Sequence, residues 1–381
     1  MSGYRSLHRE SVGSCPIWQV ATSPVLATKA SKTTSWRIWT ASGDGLVKSY
    51  LVQEKEMQQD VLDASACSCD LTHVLLGSSQ QANVDAATAL GCTQVRLARN
   101  YVGDDDTAGD LVLASLELSG QVRIWSLPEN MDDELLSNND PVQSQNLKSA
   151  HEFSLEDATG TFLQICPPKV SGVGDVQIAM ACLDGTIAIV ATGLATPKST
   201  KEPKEAGTIL DRWSKSGSIA MSGDWHPSQK TLAVGRQDGL VEIIGGKPHR
   251  LIQHETPVRA VAYTPDGNLL VSASDEGMLC VWDVSRSVPV LVHHVTQAHI
   301  SWVLSVSTLQ DSRRFITAGA DRKLHVWNVG QMDQALHTFT SDDTVWTIHA
   351  SSTKKQLTNE QPPRLVSGSE QGGLQIYSLE P

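Results

Sequence analysis

The chain has 381 residues, of which 40% are apolar and 19% charged, with a formal net charge of −12. That is ample for a packed core, and so acidic a chain lacks the clustered Lys/Arg surface a phosphate backbone requires, which disfavours direct nucleic-acid binding. No run of ~18 apolar residues is present to span a bilayer, no secretory leader opens the chain, and the seven scattered cysteines suit a reducing compartment, so the expected location is cytoplasmic and nuclear.

In chain order, a short segment near Tyr4 to Leu7 precedes IWQV (17–20) and a unit that ends TASGDGLVKSY at Tyr50. Further units end LASLELSGQVRIW at Trp125, AMACLDGTIAIV at Val190 and LAVGRQDGLVEII at Ile244. The two clearest follow: PVRAVAYTPDGNLLVSASDEGMLCVWDV from Pro257 and WVLSVSTLQDSRRFITAGADRKLHVWNV from Trp302. LVSGSEQGGLQIY ends the last unit at Tyr377. Each unit shows alternating apolar strands, a small residue, a tight acidic or glycine turn, and a strand closing on a large apolar residue. The turns Asp44-Gly45, Asp184-Gly185 and Asp238-Gly239 supply residues that tolerate positive φ.

With Trp282 and Trp327, seven closing positions are spaced by 75, 65, 54, 38, 45 and 50 residues, against ~40–45 for one four-stranded blade. The excess falls in polar stretches at about 53–90, 128–150 and 194–216, which read as long surface loops. The expected fold is therefore all-β: one seven-bladed β-propeller over residues 1–381. Its last unit has three strands and four residues to spare, so residues 1–8 are expected to supply the missing strand and close the ring.

The repeat resembles the WD40 repeat, in which His, Ser/Thr, Asp and Trp of one blade form a buried hydrogen-bonded chain. His299, Thr317, Asp321 and Trp327 match that pattern in the sixth unit, the other units keep parts of it, and only Trp282-Asp283 is a literal WD dipeptide. These residues are structural in this reading.

Chemistry is sparse. No G-x-S-x-G, G-x-G-x-x-G or G-x-x-x-x-G-K-[ST] sequence occurs. Cys67 and Cys69 have no second pair at zinc spacing, His293-His294 read as a strand-end pair, and Asp104 to Asp106 lack the ligand alternation of a calcium loop. No catalytic residue, metal or cofactor is expected. Tryptophan placement says more. Aligning first strands on Val258-Arg259-Ala260-Val261 puts Trp18, Met221, Leu304 and Trp346 at the Arg259 position, on the rim near the channel, with Trp302 just ahead of it. Exposed Trp and Arg mark interfaces, so these six residues are the candidate partner site. The competing reading has the rings folded into gaps between blades.

The stretches HISWVLSVS (299–307), TAGADRKLHVWNVG (317–330) and HTFTSDDTVWTI (337–348), with the terminal LQIYSLEP, resemble the family of WD-repeat subunits of the superkiller (Ski) complex. IWQV (17–20) and GDGLVKSY (43–50) fit the first blade of that family; the similarity is thin across 51–215. The resemblance implies a scaffold joining a tetratricopeptide-repeat protein and an RNA helicase that deliver mRNA 3′ ends to the cytoplasmic exosome. It also implies a role in the Paf transcription-elongation complex, with short Gln-Arg-x-x-aromatic partner segments gripped on the top surface. Two rivals remain: a WD-repeat adaptor of a ubiquitin ligase or chromatin complex, and an enzyme with its site in the channel. The innermost strands (TQVRL, TFLQI, VRAVAY, WVLSV) show no converging catalytic set.

Overall fold

In the computed structural model the described residues are 4–23, 26–28, 33–55, 67–76, 92–99, 111–127, 145–167, 170, 174–196, 199–214, 216–351 and 363–379. Their regular elements are all strands, grouped in seven sheets that are antiparallel but for one parallel pair in blade 1. The innermost strands, in blade order, are Ile17–Thr22, Cys92–Arg99, Ala158–Ile165, Ala220–Trp225, Val258–Tyr263, Val303–Thr308 and Val345–Ala350. Each neighbours the next, and Ile17–Thr22 returns to Val345–Ala350, so the blades form a closed ring.

Blades 3 to 6 each use four consecutive strands, as a meander of short turns dictates. Blade 7 is completed by the chain start: Tyr4–Ser11 pairs antiparallel with Gly373–Leu379, from Tyr4 opposite Leu379 to Ser11 opposite Gly373. The closing strand thus runs three residues beyond the expected 1–8 segment; residues 1–3 lie outside the described residues. It is held by more than ladder bonds. The Tyr4 ring stacks on His337 at 5.1 Å and meets Phe339 edge-on at 6.5 Å, both on the outermost strand of blade 6.

Each of the three stretches read as surface loops also contributes a strand. Cys67–Leu76 is the fourth strand of blade 1, Gln145–Lys148 pairs parallel with its outer edge, and Ile209–Trp213 is the outermost strand of blade 3. For Ile209–Trp213 the physical reason is exposure: an outermost strand has one edge free, and its residues are exposed or only part-buried, so its composition is that of a loop. Residues 77–91 and 128–144, and the acidic run Asp104 to Asp106, lie outside the described residues.

The core sits between blades. Trp36, Trp39 and Trp125 are fully buried there, and Trp225 nearly so, each removing ~150–250 Å² from water. Among the described residues, no helix is long and apolar enough to cross a membrane.

Candidate functional site

The sequence alignment places Trp18, Met221, Arg259, Leu304 and Trp346 at one position, and the backbone gives that position a distinctive form. Each innermost strand concerned has its pairing register broken around this residue: between Ile17 and Gln19, Ala220 and Ser222, Val258 and Ala260, Val303 and Ser305, and Val345 and Thr347. A bulge leaves one residue outside the ladder and re-aims its side chain. All five line one central cavity of about 770 Å³.

The rim is not uniformly exposed. Leu304 is 9% exposed and offers little surface, Trp18, Met221 and Trp346 are half-buried at the cavity mouth, and Trp302 is 47% exposed. Neither reading of the rings therefore holds for all of them. Trp302 is open because it precedes the strand, and it is not idle. The Arg259 guanidinium carbon lies 5.1 Å from the centre of its ring, and Arg259 is itself fixed by Asp275, with Nε to Oδ1 at 2.5 Å and Nη2 to Oδ2 at 3.0 Å. A cation stacked on an indole and gripped by a two-pronged carboxylate has little freedom left, so the Trp302 ring is presented in a set orientation. Ile300, 87% exposed, stands two residues away.

The hydrogen-bonded chain of blade 6 is complete. Trp327 Nε1 donates to Thr317 Oγ1 at 2.9 Å, the Thr317 hydroxyl lies 2.8 Å from His299 Nε2, and His299 Nδ1 lies 2.9 Å from Asp321 Oδ1. Burial alone would raise the Asp321 carboxyl; the hydrogen bond and charge of His299 outweigh it and hold the group below its ordinary range. Blade 5 carries a chain the sequence reading left as partial. Trp282 Nε1 donates to Ser272 Oγ at 3.0 Å, Ser272 meets His254 Nε2 at 2.8 Å, and Glu276 stands 3.4 Å from His254 Nδ1. The signal was legible: the His lies 18 residues before the hydroxyl and the Trp 10 after it in both blades. Asp283, by contrast, only caps its turn, accepting from Ser285 and Arg286.

Blades 2 and 4 replace this chain with buried ion pairs that sequence reasoning missed. In blade 2 Glu117 closes the second strand and pairs with Arg123 of the third; in blade 4 Arg236 closes the second strand and pairs with Glu242 of the third at 2.5 Å. Both pairs are six residues apart and under a tenth exposed, with the charges exchanged. Arg236 also donates to Gly185 O at 2.8 Å, tying blade 4 to blade 3.

Among the described residues, His299, Asp321 and His325 are the cluster close enough together to hold a metal ion. Both His299 ring nitrogens are already committed to Thr317 and Asp321, so the cluster is better explained as structure. His293 and His294 lie on the outermost strand of blade 5.

Comparison with known proteins agrees with this architecture. The family model described as "WD domain, G-beta repeat" matches residues 245–283 and 290–328. The chain is 27% identical to mouse (Mus musculus) WD repeat-containing protein 90 over 157 residues, 40% of this chain and 8% of that protein. It is 32% identical to human (Homo sapiens) WD repeat and SOCS box-containing protein 1 over 116 residues, 28% of this chain and 27% of that protein. It is 25% identical to Actin-interacting protein 1 of Drosophila melanogaster over 130 residues, 33% of this chain and 21% of that protein. The matches therefore span less than a third of these relatives. The two matches fall on blades 5 and 6, the blades stitched by the His–Ser/Thr–Trp chain, within a ring of seven: the molecule is a seven-bladed β-propeller that contains WD40 repeats.

Proposed function

We propose that this propeller is a non-catalytic scaffold that docks short segments of partner proteins on the rim formed by Trp18, Met221, Arg259, Trp302, Leu304 and Trp346. The observation that carries the reading is Trp302, 47% exposed yet held by Arg259. A large aromatic surface that is already ordered gains burial on binding without a large ordering cost, which then falls mainly on the partner.

The finer assignment rests on resemblance. We propose that the chain is the WD-repeat subunit of a Ski-type assembly, supporting mRNA decay by bringing a tetratricopeptide-repeat protein and an RNA helicase together, with RNA left to those partners. A role in a Paf-type elongation complex belongs to the same proposal. The similarity to a protein whose name joins WD repeats to a SOCS box supports a second reading, an adaptor of another assembly such as a ubiquitin ligase or chromatin complex. Affinity purification of the tagged chain with mass spectrometry separates the two. Recovery of a helicase and a tetratricopeptide-repeat protein is expected, and their loss with Trp302→Ala at unchanged melting temperature places them on the rim. Recovery of neither overturns the Ski-type reading.

A further inference from the structure

Below the rim, one layer of the channel wall takes one residue from each blade. Ladder pairing aligns Ala21 with Trp39, Arg96 with Ala114, Gln164 with Ala179, Asp224 with Ala233, Ala262 with Val271, Ser307 with Ile316 and His349 with Val366. Four of these side chains reach forward to the innermost strand of the next blade. Gln164 Nε2 donates to Gly223 O at 2.6 Å, and Asp224 Oδ2 accepts from Tyr263 N at 2.8 Å. Ser307 Oγ accepts from Ala350 N at 3.0 Å, and His349 Nδ1 lies 2.8 Å from Thr22 Oγ1. Ala21 and Ala262 are too short to reach. Arg96 is long enough and does not: its Nη1 donates to the carbonyl of neighbouring Val95 at 3.1 Å, and it makes no ion pair among the described residues.

Arg96 and Asp224 stand on blades 2 and 4, on either side of blade 3, and both line the cavity. Loss of water pushes the Arg96 guanidinium down to about 10, with Asp224 opposing the shift, and lifts the Asp224 carboxyl to about 6 against the Tyr263 N–H and Arg96. Each thus feels the other's charge without touching it. Two opposite, part-buried charges lining one cavity are satisfied together by a ligand carrying both complements a short distance apart. Above them the lining is Trp18, Met221, Leu304 and Trp346, which suits an apolar group. The cavity of about 770 Å³ lies within the ~300–1,000 Å³ of small-molecule sites.

We propose that the central channel binds a free apolar α-amino acid, its carboxylate on Arg96, its ammonium on Asp224 and its side chain toward the tryptophan mouth. This site shares Trp18, Met221, Leu304 and Trp346 with the proposed docking rim but turns on Arg96 and Asp224, which that rim does not include, so either reading can fail without the other.

Isothermal titration of the full chain with L-leucine, 4-methylpentanoate and isopentylamine tests it. Leucine is expected to bind, with 4-methylpentanoate and isopentylamine at least tenfold weaker because each lacks one charge. Arg96→Gln and Asp224→Asn, checked for an unchanged melt, should each weaken leucine at least tenfold. Absence of leucine binding overturns the proposal, as does 4-methylpentanoate binding equal to leucine, which would mark an anion site only. The wild-type comparison decides even where a variant fails to fold.

Discussion

Arg364 of blade 7 grips Glu54 of blade 1 with both prongs of its guanidinium, Nη2 to Oε2 at 2.7 Å and Nε to both oxygens at 3.0 Å. Trp36 Nε1 donates to the same carboxylate at 3.3 Å, and Arg364 Nη1 reaches Ser378 Oγ at 2.9 Å. Both partners are largely out of water. The pair seals the junction where the first and last blades of the ring meet. Removing one member of a buried pair leaves the other unpaired and costs ~3–5 kcal/mol. Glu54→Ala is expected to lower unfolding free energy by about that much, read by urea denaturation, and Glu54→Gln by less because it still accepts a hydrogen bond.

Closure by the chain start makes a second expectation. Deleting residues 1–11 removes the Tyr4–Ser11 strand, uncovers the Gly373–Leu379 edge and takes Tyr4 from Phe339 and His337. The melting temperature should fall by many degrees, and deletion of residues 1–8 should do most of this, since the pairs from Tyr4 to His8 go with it. An unchanged midpoint would show that the last blade stands on three strands.

The exchanged ion pairs give a third. Arg236→Met leaves the Glu242 carboxylate, 5% exposed, with only Ser214 at 2.9 Å and the exposed Arg250 at 3.3 Å, at a cost toward the lower end of ~3–5 kcal/mol. The double change Arg236→Glu with Glu242→Arg copies blade 2 and should recover part of that loss. Recovery stays partial because Arg236 also donates to Gly185 O and Ser218 O, which a glutamate cannot replace. A double-mutant cycle in urea measures it.

A fourth concerns acid. Burial holds His325 and His349 at about 4, and lowers His226 and His254 as well. In the unfolded chain these imidazoles return to ~6.5. As pH falls from ~6.5 toward 4 the unfolded state takes up protons that the folded state refuses, so stability drops across that window. Asp224, lifted to about 6, acts in the opposite direction, because the folded state protonates first. The histidines outnumber it, so the melting temperature is expected to decline between pH 7 and 4.5. His349→Gln, which retains a partner for Thr22, should flatten the decline.

Much of the architecture was legible because a propeller repeats its constraints. Small residues, tight turns and closing aromatics recur at fixed offsets, and the Arg259 position could be aligned across blades without coordinates. Three things were hidden. The outermost strand Ile209–Trp213 has no fully buried residue and no apolar alternation to mark it. The Arg123–Glu117 and Arg236–Glu242 pairs look like ordinary surface charges until the strands are folded against each other. The channel layer needs the register of all seven innermost strands, and blade 3 breaks the count between Ala158 and Leu163, where Gly160 adopts a φ of 69°.

Similar blades in one chain invite error, since a strand of one can lie down in the sheet of another. The exchanged charges bear on that hazard. Were the second strand of blade 2 to pair with the third strand of blade 4, Glu117 would face Glu242; the reverse mistake would set Arg236 against Arg123. Each wrong hairpin buries like charges, each right one neutralises them. A pair whose attraction is largely offset by the desolvation of its two charges can thus act as a proofreader while the ring is being assembled.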